Sequence, residues 1–133
     1  MSPAVYVLAT SDEATTTALR AAREMAGSPR ARVVLIAPIV ALLSALRARG
    51  PRDQSVVVRD KYRRLSSFAG VDATVHVCIC RRIDDIFAQL IPARSTIVMG
   101  RSRAAWFPWS AEERLARRLI GRGYHIVRRE ATA

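Results

Sequence analysis

The sequence contains none of the short motifs that mark a catalytic or metal centre. It has no H-E-x-x-H pair for zinc, no G-x-S-x-G nucleophile turn, no C-x-x-C and no phosphate-loop lysine. These absences argue against an enzyme. The histidines are only two, His76 and His125, and neither has an acidic or cysteine partner at a suggestive spacing. Both read as structural. Cysteine is equally scarce. Cys78 and Cys80 fall on one face of a strand, poorly placed for a mutual disulfide and too few for a zinc site. They read as reduced, buried thiols of a cytoplasmic protein. No long apolar run exists either. The longest patch, residues 33–46, is interrupted by Pro38 and Ser44, so no membrane span is expected. The first residues lack a basic region followed by an apolar one, so no secretory signal is expected.

Acidic residues are also in deficit. Eleven Asp and Glu against 22 Lys and Arg give a net charge of +11, which favours anionic partners without naming one. The arginines are scattered over several predicted elements, as on solvated faces. A nucleic-acid binder would gather them in one stripe with aromatics between, so nucleic acid is not the expected partner. A basic nucleic-acid-associated protein remains the third reading.

What is present is an ordinary globular mix. The 133 residues are half apolar and a quarter charged, enough for one domain, residues 1–133, around a single core. Strand-like and helix-like stretches alternate five times. Val5–Ala9 is a short buried strand. Thr10-Ser-Asp-Glu13 has the form of a capping box, with Leu19, Ala22, Met25 and Ala26 as one helical stripe behind it. Gly27-Ser-Pro29 breaks that helix. Arg32–Ala37 is a continuous apolar strand of the kind covered on both faces, and Pro38 is expected to end it. Ile39–Leu46 reads as a short helix and Arg49-Gly-Pro-Arg52 as a mobile loop. Val58, Tyr62, Leu65 and Phe68/Ala69 share a helix face, although Val56–Val58 alone reads equally as strand. Thr74–Cys80 alternates strictly, which suits an edge strand. Ile83, Ile86, Phe87 and Leu90 form the next helix, stopped by Pro92. The expected fold is an α/β domain: an open, mostly parallel five-stranded sheet with helices on both faces.

The stretch Ser95–Arg129 carries most of the functional signal. Ile97-Val98-Met99 is a strand expected to stop at Gly100, followed by the small, basic loop Arg101-Ser102-Arg103. The aromatic segment Trp106-Phe107-Pro108-Trp109 reads either as a plug over the end of the sheet or as a lid or docking patch. Ser110-Ala-Glu-Glu113 is a second capping box, and Ser110 is an N-cap that is also placed to meet phosphate. Leu115, Leu119 and Ile120 recur at helical spacing, Gly121 and Gly123 end the helix, and Tyr124–Val127 is the last strand.

Val98-Met99-Gly100, the helix of Leu115 and Leu119, and the first-half turn Thr10-Ser11-Asp12-Glu13 with Ala18-Leu19 together resemble the universal stress protein family. The loop Gly100–Arg103 is more like the universal-stress domains of bacterial sensor kinases than the standalone ATP-binding members. The resemblance implies the universal-stress/adenine-nucleotide alpha hydrolase-like fold, with a ligand cleft at the carboxyl ends of the first and fourth strands. Candidate ligand residues there are Thr10, Ser11, Ala37, Gly100, Arg101, Ser102, Arg103 and Ser110, and the ligand is ATP, another nucleotide or another anion. The resemblance also implies a homodimer through the last strand, with Tyr124, Ile126, Val127 and Arg128 at the interface. The sequence departs from the family pattern where Thr10 stands for the aspartate of the first loop, Arg103 for the second loop glycine, and Trp109-Ser110 for Gly-Ser. These departures favour a ligand-free adaptor as the alternative, although Arg101 and Arg103 offer bidentate side-chain contacts to phosphate instead.

Overall fold

The computed structural model describes residues 4–27, 31–40, 51–80, 90–101 and 111–130. Five strands form one sheet: β1 (Ala4–Leu8), β2 (Arg32–Val40), β3 (Ala73–Cys80), β4 (Thr96–Arg101) and β5 (His125–Glu130). Their order is β3-β2-β1-β4-β5, and every pairing is parallel. The chain therefore winds outward from β1 in one direction, then returns to β1's other side at β4. That reversal is the topological switch point of an open α/β sheet.

Three helices lie on the sheet among the described residues: α1 (Asp12–Ala26), α2 (Pro51–Ala69) and α3 (Ala111–Gly121). The first two cover one face. Leu19, Ala18 and Ala22 of α1 and Tyr62 of α2 pack with Val7, Leu35 and Val98. The third covers the opposite face, where Leu115, Ala116 and Leu119 meet Leu8, Ile97 and Met99. The strands β1, β2 and β4 are thus apolar on both sides, as their unbroken apolar sequences require. Each fully buried Leu or Ile here contributes roughly 1.5–3 kcal/mol.

Several expectations from the sequence need correction. Pro38 does not end β2, which runs on to Val40 beside β3. The Ile36 carbonyl accepts from the Ala9 N–H on the β1 side, so Pro38, two residues on, directs its missing N–H to that side as well. β1 has already ended there, and no ladder bond is lost. Pro51 and Arg52, expected in a mobile loop, open α2, where proline's fixed φ suits the first helical position. Val56, Val57 and Val58 are helical. Phe68 is 77% exposed, Ile120 58% and Met25 40%, so none joins the core stripe its spacing suggested. Each sits next to a residue that does face the sheet, about 100° away around the helix. Ile39 and Val40 belong to β2, and the rest of the expected helix to Leu46, like Ile83, Ile86 and Phe87 of the next one, lies outside the described residues.

Other expectations match. Gly27 caps α1 in the left-handed conformation, φ 63°. β3 is an edge strand, with Val75 and Val77 against the core and Thr74 and His76 exposed. Cys78 is a half-buried free thiol, and burial pushes its pKa up, away from reactive thiolate.

Candidate functional site

The carboxyl ends of β1 and β4 meet beside two helix starts. On the β1 side, the turn into α1 is built from hydroxyls. Ser11, in extended conformation, is the N-cap, and its Oγ accepts from the Ala14 N–H at 3.2 Å. The expected box had Thr10 in that role. Instead the Thr10 N–H donates to Thr15 Oγ1 at 3.0 Å, and Thr15 is completely buried. Thr10 Oγ1 is itself buried and has no hydrogen-bond partner among the described residues. A buried polar atom of this kind calls for a partner, whether a water, an ion or a ligand.

Gly100 does not end β4; the strand continues through Arg101, paired with Glu130 of β5. The reason for glycine is contact with α1. A Cβ on Gly100 would stand 1.9 Å from the Ala14 carbonyl oxygen. The first turn of α1 therefore lies flush on β4, and the face of Gly100 that a phosphate loop would offer is filled by helix backbone. Gly100 positions the site and leaves that side no cradle for phosphate.

Arg101 emerges on the opposite face, toward α3. β1 and β4 pair Tyr6 with Ile97 and Val7 with Val98, and this register carried forward brings Thr10 level with Arg101. Arg101 donates to Glu113 Oε1 from Nε at 3.1 Å and from Nη2 at 2.7 Å. Arg128 of β5 brings Nη2 to 2.8 Å from the same oxygen. That contact is ionic but poorly aligned, since Arg128 Nε and Nη2 are buried without a hydrogen-bonded acceptor among the described residues. Glu130 reaches Arg101 Nη1 at 3.7 Å from a largely solvated position. Burial pulls the Glu113 carboxyl upward, but the Arg101 hydrogen bonds and the Arg128 charge outweigh it and hold its pKa below the ordinary carboxylate range. The Glu113 hydrogen bond, in turn, raises Arg101 further.

This geometry brings Thr10, Ser11, Gly100 and Arg101 together at the switch point. Ala37 is near the same edge, but its side chain is sealed in the α1/α2 core, leaving only its backbone to a ligand. Ser102, Arg103, Ser110 and the segment Trp106–Trp109 lie outside the described residues. Of the interface candidates, Ile126 and Val127 are half-buried on β5, an outer strand of the sheet. Tyr124 is buried and its hydroxyl donates to the Ile91 carbonyl at 3.0 Å, while Arg128 is drawn onto Glu113. Both serve the interior of their own chain. Among the described residues no cluster of His, Cys, Asp or Glu could hold a metal, and no helix is long and apolar enough to cross a membrane. A groove of 560 Å³ beside Arg63, Ser66 and Asp72 lies at the amino end of β3, away from the switch point.

The fold is similar to that of a solved universal stress protein in complex with cAMP. The two align over 98% of each chain with a TM-score of 0.60 and 12% sequence identity, a likeness of fold. Neither a protein-family model nor a curated protein matches the sequence. The open, five-stranded α/β sheet expected from the sequence is therefore present, parallel throughout and similar in fold to a universal stress protein. Sequence reasoning overlooked Thr15 and the joint hold of Arg101 and Arg128 on Glu113. The available signal was an acidic residue in the first turn of α3 facing two strands that both carry arginine near their carboxyl ends.

Proposed function

We propose that this chain is a universal-stress-type regulatory protein that binds a nucleotide or a related anion at the carboxyl ends of β1 and β4. The observation that carries the reading is the switch point itself. The β1/β4 register, carried on past Leu8, puts Thr10, whose hydroxyl is unpartnered among the described residues, level with Arg101. This supports a site with a neutral group for a ribose or base and a cationic one for phosphate. The residues present fit an anionic ligand through side chains, not through a glycine cradle. A solved protein of the same fold binds cAMP, which makes cyclic and adenine nucleotides the first ligands to test. The protein acts in this reading as a cytoplasmic binder and not as an enzyme, and nucleic acid is not its partner. ATP, ADP, AMP and cAMP are each added at a hundredfold excess over their dissociation constants. A true ligand then stabilises the fold by about 2.7 kcal/mol, read as a rise in melting temperature. No shift with any of them would defeat the reading.

The second reading, a ligand-free adaptor, draws on β5. This edge strand has a half-buried apolar centre at Ile126 and Val127 and pairs with β4 on one side. We propose that two copies pair antiparallel through it, since an open edge must be covered, blunted or paired. Sedimentation should give a dimer for the wild type and a monomer for Ile126→Pro, because proline removes a backbone donor. A wild type that is monomeric at micromolar concentration would rule this out.

A further inference from the structure

We propose that Glu113 is a built-in competitor for the anion site: its carboxylate stands between Arg101 and Arg128 where a phosphate would bind, and it must withdraw before these guanidiniums take a ligand. The inference rests on the cleft reading above and adds a regulation to it.

The contacts themselves point this way. Three guanidinium nitrogens, Arg101 Nε and Nη2 and Arg128 Nη2, converge within 3.1 Å on one oxygen, Glu113 Oε1. A carboxylate oxygen offers two lone pairs, so the third nitrogen is left off the bonding direction. Arg128 is that loser. Its Nε and Nη2 are buried without an aligned acceptor among the described residues. A phosphate, with oxygens spread over a tetrahedron, would serve both planar forks at once.

Charge argues in the same direction. Two guanidiniums share one carboxylate whose side chain is 13% exposed. The second acid nearby, Glu130, is 3.7 Å from Arg101 and 79% exposed, so solvent screens most of its effect. Among the described residues, the pair is thus undersupplied with buried negative charge. It also sits at the carboxyl ends of neighbouring strands, on the face of the sheet that α3 covers and next to the switch point. A merely structural ion triad would tie α3 to β4 and β5 just as well, but it would gain nothing from an added anion.

In wild type, affinity is reduced by the fraction of molecules in which Glu113 has withdrawn. The test is calorimetric titration of inorganic pyrophosphate into the wild type, Glu113→Gln, and Glu113→Gln combined with Arg128→Gln. The glutamine keeps the shape of the side chain and removes its charge. We expect Glu113→Gln to bind pyrophosphate at least tenfold more tightly, about 1.4 kcal/mol, and the added Arg128→Gln to abolish the gain. Unchanged affinity in a folded Glu113→Gln would overturn the proposal. Should that variant fail to fold, Glu113→Asp carries the same test, because its carboxylate is retracted by one methylene. Tighter binding then supports the competitor and unchanged binding overturns it. The two readings fail separately. A wild type stabilised by nucleotide, with a variant indifferent to pyrophosphate, sinks the competitor and leaves the nucleotide reading. The reverse pattern keeps the competitor and sinks the nucleotide.

Discussion

Two of the described helices, α1 and α3, start beside the switch point, and among the described residues they are held down by opposite means. The start of α1 is fixed by neutral groups: the Ser11 cap, the buried Thr15 hydroxyl under Thr10, and a first turn lying directly on Gly100. The start of α3, as far as the described residues go, is fixed by charge, with Glu113 drawn to Arg101 and Arg128. Close packing and short neutral hydrogen bonds have no alternative partner to exchange with. A carboxylate held by guanidiniums does have one, namely any other anion. On the ligand reading proposed above, the difference makes α1 the fixed wall of the site and α3 the wall with which a ligand would compete.

The sharpest way to break this contrast is to disturb the α1 wall. Gly100→Ala would place a methyl 1.9 Å from the Ala14 carbonyl oxygen and 2.7 Å from its Cα. Those are backbone atoms, which cannot swing aside like a side-chain tip. The helix must lift from β4, at a cost of about 3 kcal/mol or more. Urea denaturation should show it as a lower midpoint with an unchanged slope. A loss below about 1 kcal/mol would mean that the contact is loose and α1 is not a fixed wall. Thr15→Val comes next. It keeps the shape but leaves the Thr10 N–H without its acceptor, which costs about 1–3 kcal/mol. An indifferent Thr15→Val would mean that water replaces the hydroxyl and that this turn is wetter than its burial implies.

Much of the fold was legible in the sequence because its signals are local. The unbroken apolar runs of β1, β2 and β4 announced strands buried on both faces, and the strict alternation of Thr74–Cys80 announced an edge. Periodicity failed where burial depends on how wide a face the sheet can cover. Ile120 follows the buried Leu119 but points to solvent, and Phe68 does the same on α2. Pro38 misled because its effect depends on where the neighbouring strand stops. At the site, a turn from β1 into α1 followed from the family-like pattern, but its cap is Ser11 and not Thr10, and Arg101 stands in β4 and not in a loop. The grip on Glu113 did not, since it unites residues from β4, α3 and β5 that are remote in sequence. Gly100 was assigned to ligand approach, whereas its missing side chain makes room for α1.

The α3 wall makes a prediction about pH. The folded state lowers the Glu113 pKa, so its ion contacts contribute stability above the ordinary carboxylate value of about 4.3. That contribution is lost as pH falls from there through the folded value. Glu113→Gln should therefore flatten the acid limb of the stability curve and change it least near neutrality relative to its own plateau. Thr15→Val should shift the whole curve down with no change in shape, because no titrating group is involved. Parallel acid limbs for wild type and Glu113→Gln would show that Glu113 holds α3 no more tightly in its charged form.

The smallest expected effect tests whether charge matters at the α1 end as well. Lys61 Nζ of α2 lies 2.9 Å from Asp12 Oδ1 in the first turn of α1, the one ion pair described at that helix start. Its side chains are 46% and 60% exposed, so water and salt screen the attraction and hold two flexible side chains only loosely. Lys61→Met keeps most of the aliphatic stem and removes the charge, both from Asp12 and from its place 5.3 Å from the centre of the Tyr62 ring. It should cost less than about 0.5 kcal/mol, with the difference fading in molar salt. A cost above about 1 kcal/mol would make α1 depend on charge as α3 does, and the two walls of the cleft would no longer differ in kind.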